Sequence, residues 1–148
     1  MDHEAFMREA LAMARRGEAA GEVPIGAVLV ARDVVVARAH NAPIALHDPT
    51  SHAEMLVLRE AARTAGNYRL EDATLYATLE PCAMCAGAMV NARVARLVFG
   101  CRDLRFGAVR SKFRIADSDL LNHRVEVIEG VLAAECMDLM KSFFERKR

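Results

Sequence analysis

Two short motifs carry side chains whose types and spacing suit metal chemistry. The first is His52-Ala53-Glu54, and the second is Pro81-Cys82-Ala83-Met84-Cys85. Histidine nitrogen and cysteine sulfur are common zinc ligands, and three protein ligands leave a fourth position open for water. No local motif supplies the fourth ligand that a closed structural zinc site would need. The motifs therefore predict a catalytic zinc with an activated water, and a carboxylate, Glu54, that moves its protons.

The charges of these groups indicate a particular reaction. Two thiolates balance Zn²⁺ and a neutral His52 adds nothing, so the predicted site is neutral until a bound water loses its proton. Zinc lowers the pKa of such a water from about 15.7 to roughly 7–9. Glu54 could take this proton, deliver it to a ring nitrogen and carry a further proton to a leaving amine. The expected chemistry is hydrolytic deamination of an amidine-like aromatic carbon.

A redox role is the main alternative for the two cysteines. Cys82 and Cys85 alone would also suit a redox pair, because their spacing is typical of thioredoxin-type sites. Such a site does not need the His52-Ala53-Glu54 motif, so the two motifs together favour zinc. The other cysteines, Cys101 and Cys136, are interpreted as small buried hydrophobic residues, although Cys101 follows a predicted strand and could lie near the site.

The composition is that of a globular protein with no overall attraction to nucleic acid. The chain has 148 residues, of which 53% are hydrophobic, and we expect one domain over residues 1–148. Lys plus Arg and Asp plus Glu both number 20, so an RNA partner would need a local basic patch. The acidic start differs from a secretory signal, and no apolar run approaches a membrane span. The expected compartment is therefore the cytoplasm.

Helices and strands are predicted to alternate after an opening hairpin. Runs of β-branched and apolar residues predict strands at 25–31, 34–39, 73–79, 94–99 and 125–128. Apolar residues at helical spacing predict helices from about Asp2 to Gly17 and at 52–65, 82–91 and 131–146. Prolines predict a loop without regular structure at 41–51, and 100–115 is predicted to be irregular. This order argues for an α/β sandwich with helices on both faces of one sheet.

The predicted helices place the metal ligands at helix N-termini. Cys82 and Cys85 share one face of their helix, where the partial positive charge of unpaired N–H groups favours thiolate over thiol. His52 and Glu54 are harder to reconcile, because residues i and i+2 of a helix point about 200° apart. They converge only if His52 lies in the first turn and reaches back towards the carboxylate.

The segments around both motifs resemble the bacterial tRNA-specific adenosine deaminases over nearly the whole chain. The signature H-x-E…P-C-x-x-C is that of zinc nucleobase deaminases. The matching segments are Asn41, 43–44, 47–50, 52–54, 67–70, 78–82, 85–89, 99–100, 102–103 and 122–126. The resemblance implies a homodimer of the cytidine-deaminase-like α-β-α sandwich, which has a five-stranded mixed sheet. It also implies that the wobble adenosine of a tRNA anticodon is converted to inosine.

The resemblance further implies the roles of individual residues. These are the zinc ligands His52, Cys82 and Cys85, the proton shuttle Glu54, and the substrate-binding residues Asn41, Ala53 and Asp103. Asn41 and the backbone of Ala53 would hold the flipped base. Asp103 would contact the sugar or backbone of the target nucleoside.

Segment 102–114 and the C-terminus depart from the family pattern. The segment contains five basic residues and one acid, with Phe106 and Phe113 interleaved. It either faces RNA phosphates with stacking aromatic rings, or it is a solvated loop that its two rings hold as apolar anchors. The basic end, Arg146-Lys147-Arg148, is either a solvated helix end or a tRNA contact.

Three histidines and a methionine-rich stretch are interpreted as structural. His47 is expected to organise the 41–51 loop through hydrogen bonds, whereas His40 and His123 are expected to be satisfied scaffold residues. The stretch from Met84 to Met89 is expected to pack its helix, and it could form part of a dimer interface.

Two other functions are compatible with the sequence. A deaminase of a free base or small amino-heterocycle, such as guanine, cytosine, adenine or a triazine, would use the same chemistry, and the zero net charge favours it. The second possible function is that of a structural zinc module that only scaffolds another chain. Glu54 argues against the scaffold, because a structural metal site does not need a carboxylate beside the metal.

Overall fold

A mixed sheet of five strands forms the centre of the molecule. The computed structural model describes residues 1–147, and its strands are β1 (Gly26–Ala31), β2 (Val34–His40), β3 (Ala73–Leu79), β4 (Arg96–Cys101) and β5 (Glu126–Glu129). The strand order is β2-β1-β3-β4-β5. Strand β1 is antiparallel to both of its neighbours, whereas β3, β4 and β5 are parallel. The predicted five-stranded mixed sheet is confirmed.

Helices cover both faces of this sheet. They are α1 (His3–Ala19), α2 (Pro43–Leu46), α3 (Ala53–Ala65), α4 (Ala83–Asn91) and α5 (Ala133–Arg146). On one face, α1 and α5 share a buried apolar cluster with Val28 and Val30 of β1. On the other face, α3 and α4 share a second cluster with Ala27 and Leu29, because successive strand residues point to opposite faces. The predicted α-β-α sandwich is therefore confirmed.

The prediction that 41–51 lacks regular structure was wrong, because α2 lies within it. Pro43 occupies the first turn of α2, where its missing N–H removes no helical hydrogen bond. The buried carboxylate of Glu22 accepts the N–H groups of Ile44 and Ala45 at 3.3 and 2.9 Å. Pro43 therefore begins a helix here instead of preventing one.

The other predicted elements exist, with ends that differ by one or two residues. Helix α1 continues past Gly17, whose bare Cα faces His40; a Cβ there would lie 2.9 Å from the Cβ of His40. Strand β4 begins after Val94, because Arg93 turns the chain with a φ of 59°. Among the described residues, no helix has both the length and the apolar composition of a membrane span.

Candidate active site

Three strands end at one edge of the sheet, and each leads into residues that the sequence singled out. Strands β2, β3 and β4 run in the same direction. The chain continues from β2 into Asn41, from β3 into Glu80-Pro81-Cys82 and from β4 into Arg102-Asp103. Ligands commonly bind at the carboxyl ends of strands in open α/β sheets.

The three predicted metal ligands meet at this edge. His52 and Cys82 are the N-cap residues of α3 and α4, and Cys85 lies in the first turn of α4. His52 Nδ1 lies 3.5 Å from both Cys82 Sγ and Cys85 Sγ, and the three atoms all lie within 4.8 Å of one another. Usual zinc bond lengths and a tetrahedral angle would put nitrogen and sulfur ligands about 3.6 Å apart. The three side chains could therefore hold a metal ion, and their spacing fits a tetrahedral one.

His52 and Glu54 converge by a route that differs from the expected one. His52 precedes α3 with an extended backbone (φ −72°, ψ 151°), whereas Glu54 lies inside the helix. The helical separation of about 200° between positions i and i+2 therefore does not apply. Both side chains line the same cavity.

Glu54 is a buried carboxylate with an unsatisfied oxygen. The residue is 4% exposed, and its Oε1 has no hydrogen-bond partner within residues 1–147. Burial raises the pKa of Glu54 to about 7, against the opposing effects of its own backbone N–H and of His52. An unpaired buried oxygen destabilises a fold. A pKa near neutrality suits a group that accepts and releases protons.

The two cysteines have pKa shifts in opposite directions. The pKa of Cys82 falls to about 4, chiefly because the Cys85 thiol donates a hydrogen bond to it, with a further contribution from His52. The pKa of Cys85 is raised, because Cys82 holds its proton and because it is buried. The two sulfurs thus share one proton. A metal would displace that proton, since cysteine binds metals as thiolate.

Asn41 is fixed by the start of α3. It is 6% exposed, and its Oδ1 accepts the N–H of Ala53 at 2.8 Å. The amide nitrogen is therefore the group of Asn41 that remains for a ligand, and a ligand acceptor at the Ala53 N–H would have to share that donor. Asp103 accepts the backbone N–H groups of Arg105 and Phe106 at 3.0 and 3.2 Å through one oxygen.

A cavity of about 630 Å³ joins these residues. Its lining comprises Asn41, His52, Glu54 and Cys82 on the metal side, with Val23, Ile25, Leu79, Glu80, 102–106, Met140 and Phe144 around them. A mostly apolar cavity with a few converging polar groups is typical of small-ligand sites. Cys101 and Cys136 are buried at 4% and 1% exposure, as predicted, and neither lines the cavity.

Segment 102–114 is not held by its aromatic rings. Phe106 and Phe113 are 63% and 62% exposed, so of the two alternatives for this segment, the one in which both rings anchor a solvated loop is wrong. Phe106 lines the cavity, and the guanidinium of Arg105 lies 5.4 Å from the centre of its ring. Three of the five basic residues form ion pairs, which are Arg102–Glu129, Arg110–Asp117 and Arg114–Asp117.

Glu80 is the residue at this edge that sequence reasoning missed. It is 2% exposed and lies directly before the Pro81-Cys82 turn. Burial acts to raise the pKa of Glu80, but hydrogen bonds from Ser111 and from backbone N–H groups outweigh it and lower the pKa. One sequence signal could have revealed Glu80: it is an acidic residue at the end of an apolar strand, with no basic residue close to it in sequence.

Comparisons with known proteins identify the family. Residues 1–148 match the MafB19-like deaminase family. The tRNA-specific adenosine deaminase of Haemophilus influenzae is 48% identical over 147 residues, which are 98% of this chain and 84% of the relative. This chain belongs to the tRNA-specific adenosine deaminase family. It is therefore an enzyme, and its relatives have the reaction that the two motifs predict.

Solved structures of deaminases share the fold of this deaminase. One comes from studies of A-to-I editing by tRNA:A34 deaminases at the wobble position of transfer RNA; its TM-score is 0.88 at 43% identity, covering 91% of this chain and 98% of that chain. A guanine deaminase from Bacillus subtilis has a TM-score of 0.66 at 38% identity, covering 69% of this chain and 66% of that chain.

The remaining predictions for this deaminase have mixed outcomes. The rings of His40 and His123 form hydrogen bonds with the carbonyls of Asn41 and Val94, both at 2.8 Å, which confirms their scaffold role. Within residues 1–147 the His47 side chain has no hydrogen bond; Asp48 organises that loop instead, accepting bonds from residues 50 and 51. At the basic end, Arg146 pairs with Glu18, and position 148 lies outside the described residues.

Proposed function

We propose that this deaminase converts the wobble adenosine of a tRNA anticodon to inosine, in a single domain that contains one zinc site. The observation that carries this proposal is the 48% identity, over 98% of the chain, to a tRNA-specific adenosine deaminase. The match to one relative over 98% of the chain, which is a typical length for one domain, supports a single domain. The chemistry of the cavity is compatible with this reaction, since its metal side holds a buried proton acceptor.

His52, Cys82 and Cys85 would hold the zinc ion, because one imidazole and two thiolates are a common zinc-binding set. When bound there, zinc would supply a Lewis acid that lowers the pKa of a water molecule at its open position. Glu54 takes a proton from the attacking water and delivers it to the ring nitrogen N1 of adenine. It then takes the second proton from the hydroxyl now on the ring carbon and passes it to the amine; the C–N bond breaks, ammonia leaves, and the ring carbon keeps the water oxygen as a carbonyl.

Asn41, Ala53 and Asp103 are the proposed substrate-binding residues. The amide nitrogen of Asn41 would donate to an acceptor on the flipped base, because its oxygen is held by the Ala53 N–H. The Ala53 N–H would contact the base as a shared donor. Asp103 lines the cavity from the opposite side and would contact the ribose or the backbone of the target nucleotide.

The tRNA would lie across the exposed side of segment 102–114. Phe106 and Phe113 are exposed aromatic rings that could stack on unpaired bases. Such stacking does not require the chain to be basic overall, which agrees with a net charge of zero.

A homodimer and a cytoplasmic location complete the proposal. A shallow apolar groove beside α4 is lined by Met84, Gly87, Ala88, Leu121 and their neighbours, and a second copy would cover it. Met84 belongs to the methionine-rich stretch that was expected to contribute to such an interface. The cytoplasm suits a protein whose four cysteines are all free thiols.

The test is a direct assay with matched substrates. Zinc-loaded protein is incubated with a tRNA anticodon stem-loop that carries adenosine at the wobble position, and with the same stem-loop carrying adenosine one position away. Sequencing should find inosine only in the first. No conversion by protein that contains stoichiometric zinc would refute the proposed substrate.

A free-base deaminase is the second candidate, and the guanine deaminase neighbour at 38% identity favours it. A panel of guanine, adenine and cytosine, with ammonia release as the readout, separates the two candidates. Turnover of guanine without conversion of the stem-loop would support the second. A scaffold without activity is disfavoured, because Glu54 keeps an unpaired oxygen buried beside the metal ligands.

A further inference from the structure

The carboxylate of Glu80 is surrounded by donors from segment 102–114. Its Oε1 accepts the N–H of Asp103 at 3.1 Å and the hydroxyl of Ser111 at 2.5 Å. Its Oε2 accepts the N–H groups of Val109, Arg110 and Ser111 at 3.1, 2.7 and 2.9 Å. Bonds of N–H groups to a charged acceptor are stronger than bonds to a neutral one. A single side chain thus binds both ends of the stretch 103–111.

The segment is shaped to approach this carboxylate closely. A Cβ at Gly107 would lie 2.4 Å from Glu80 Cδ and 2.5 Å from the carbonyl oxygen of Asp103. No real side chain tolerates such distances, so only glycine allows the chain to close around the carboxylate here. The N–H of Gly107 also bonds to that carbonyl at 2.9 Å, which closes the turn 103–107.

This arrangement leaves Glu80 without a role in the chemistry itself. Both of its oxygens are saturated by the protein, and the residue is 2% exposed. Residues 103–106, which it holds, line the same cavity as Glu54 and contain neither helix nor strand. The ion pairs Arg102–Glu129 and Arg110–Asp117 lie at the two ends of the stretch. Towards its C-terminal half, the Ala108 N–H bonds to the Pro81 carbonyl at 2.9 Å and Ala108 and Val109 pack into the core, so residues 103–106 depend most on Glu80.

The geometry points to Glu80 as a positioning residue that fixes residues 103–106 as the substrate-facing wall of the cavity. The part of this inference that concerns tRNA rests on the proposed function. With the wall fixed in advance, a nucleotide binds without first ordering it. With the wall loose, binding includes the cost of ordering, while Glu54 and the metal ligands stay in place on α3 and α4.

Two variants loosen the wall in different ways. In Glu80→Gln the oxygen can stay with the three N–H groups of residues 109–111, and the new NH₂ then faces the N–H of Asp103 and repels it. The hydrogen bond to Asp103, which lies at the cavity, should therefore break before the other three. Gly107→Ala leaves the carboxylate intact and pushes the chain away from it. Both variants should produce the same defect.

The control is Glu22→Gln. Glu22 is also a buried carboxylate, at 1% exposure, that accepts two backbone N–H groups, but it holds α2, and neither Glu22 nor α2 lines the cavity. The Glu22→Gln variant should lower the melting temperature of the protein, as Glu80→Gln and Gly107→Ala should. It should leave the KM for the stem-loop within about twofold of the wild-type value, because the wall is untouched.

Hydrogen exchange and steady-state kinetics together test the inference. In zinc-loaded Glu80→Gln and Gly107→Ala, the amide of Asp103 should exchange at least about tenfold faster than in the wild type. Zinc content should be unchanged. The KM for the stem-loop should rise about tenfold, with kcat within about threefold, because ground-state binding is weakened and the catalytic groups are unaffected.

Several outcomes would overturn the inference. Unchanged exchange at Asp103 would show that Glu80 does not hold the wall. Loss of zinc, or a lower kcat at constant KM, would show that Glu80 serves the metal ligands instead. An equal rise of KM in Glu22→Gln would reduce the effect to general destabilisation. If the wild type does not convert the stem-loop, the proposed function fails, while the exchange result still decides whether Glu80 holds the wall.

Discussion

The metal side of the cavity and segment 102–114 both contribute to the lining of the cavity but are held in place by different means. His52, Cys82 and Cys85 lie at or next to the N-termini of α3 and α4, so the packing of two helices on the sheet positions them. Segment 102–114 has no helix or strand; four of its backbone N–H groups and one hydroxyl bind the buried carboxylate of Glu80, and its Ala108 and Val109 pack into the core. Under the proposed function, the reaction would depend on packed helices, and substrate choice would depend on a segment without regular structure whose substrate-facing residues Glu80 attaches.

The largest effect should come from the metal side. Replacing Cys85 with Ser weakens a soft ligand and should remove zinc, and deaminase activity should fall below detection. Metal analysis by mass spectrometry and the inosine assay check the two results. Retention of a full zinc equivalent with activity would contradict the ligand assignment, and the buried Cys101→Ser variant serves as a control that should keep its zinc.

Glu54→Gln separates metal binding from proton transfer on the same side. The variant should retain zinc, because Glu54 is not one of the three grouped ligands. Its kcat should fall by about 10³-fold, since an amide cannot accept the proton of the attacking water. A variant with zinc bound and more than about a tenth of wild-type kcat would remove Glu54 from its proposed role.

Phe106→Ala tests the part of the cavity that segment 102–114 lines. If Phe106 stacks on a base, its loss should raise the KM for the stem-loop about tenfold and leave zinc content and kcat nearly unchanged. Phe113→Ala is the matched comparison, because that ring is equally exposed but does not line the cavity, so its loss should raise the KM by less. Similar KM values for the two variants would show that the position of the ring at the cavity does not matter.

The smallest effect concerns the outer attachment of the segment. Burial acts to raise the pKa of Asp117, but hydrogen bonds from Arg110 and Arg114 outweigh it, so the pKa lies below its usual value of 3.8. Asp117 therefore contributes stability above pH 3.8, and this stability is lost as the pH falls through the lower folded-state pKa. Asp117→Asn should reduce the free energy of unfolding by about 1 kcal/mol at neutral pH. Urea unfolding should show this difference shrinking in acid; a constant difference would contradict it.

The two sides also differed in how well the sequence predicted them. The proposed zinc ligands could be predicted from local spacing, because Cys82 and Cys85 are separated by about one helical turn and such a motif is visible in a linear sequence. The strands were predicted because each is a short run of β-branched and other apolar residues. Local sequence patterns were therefore enough to predict most of the fold and the metal side of the cavity.

The parts that were predicted wrongly depend on distant contacts. Pro43 was expected to prevent regular structure, yet it begins α2 because Glu22, far away in sequence, accepts the N–H groups of the helix. Phe106 and Phe113 were candidate anchors of segment 102–114. Glu80 attaches the segment instead, through donors that lie 23 to 31 residues away in sequence. No local pattern shows which carboxylate will meet which N–H group.

Four of the five donors that bind Glu80 are backbone N–H groups, and only the Ser111 hydroxyl is a side chain. Every amino acid except proline carries such a donor. Residues 104–106 can therefore be exchanged without weakening the attachment, provided that Gly107 stays and that proline stays out of the donor positions. Substitutions there alter what the cavity presents to a substrate while the attachment stays constant. This deaminase thus contains a short stretch that can diversify, in nature or by directed evolution, at little risk to the reaction it serves.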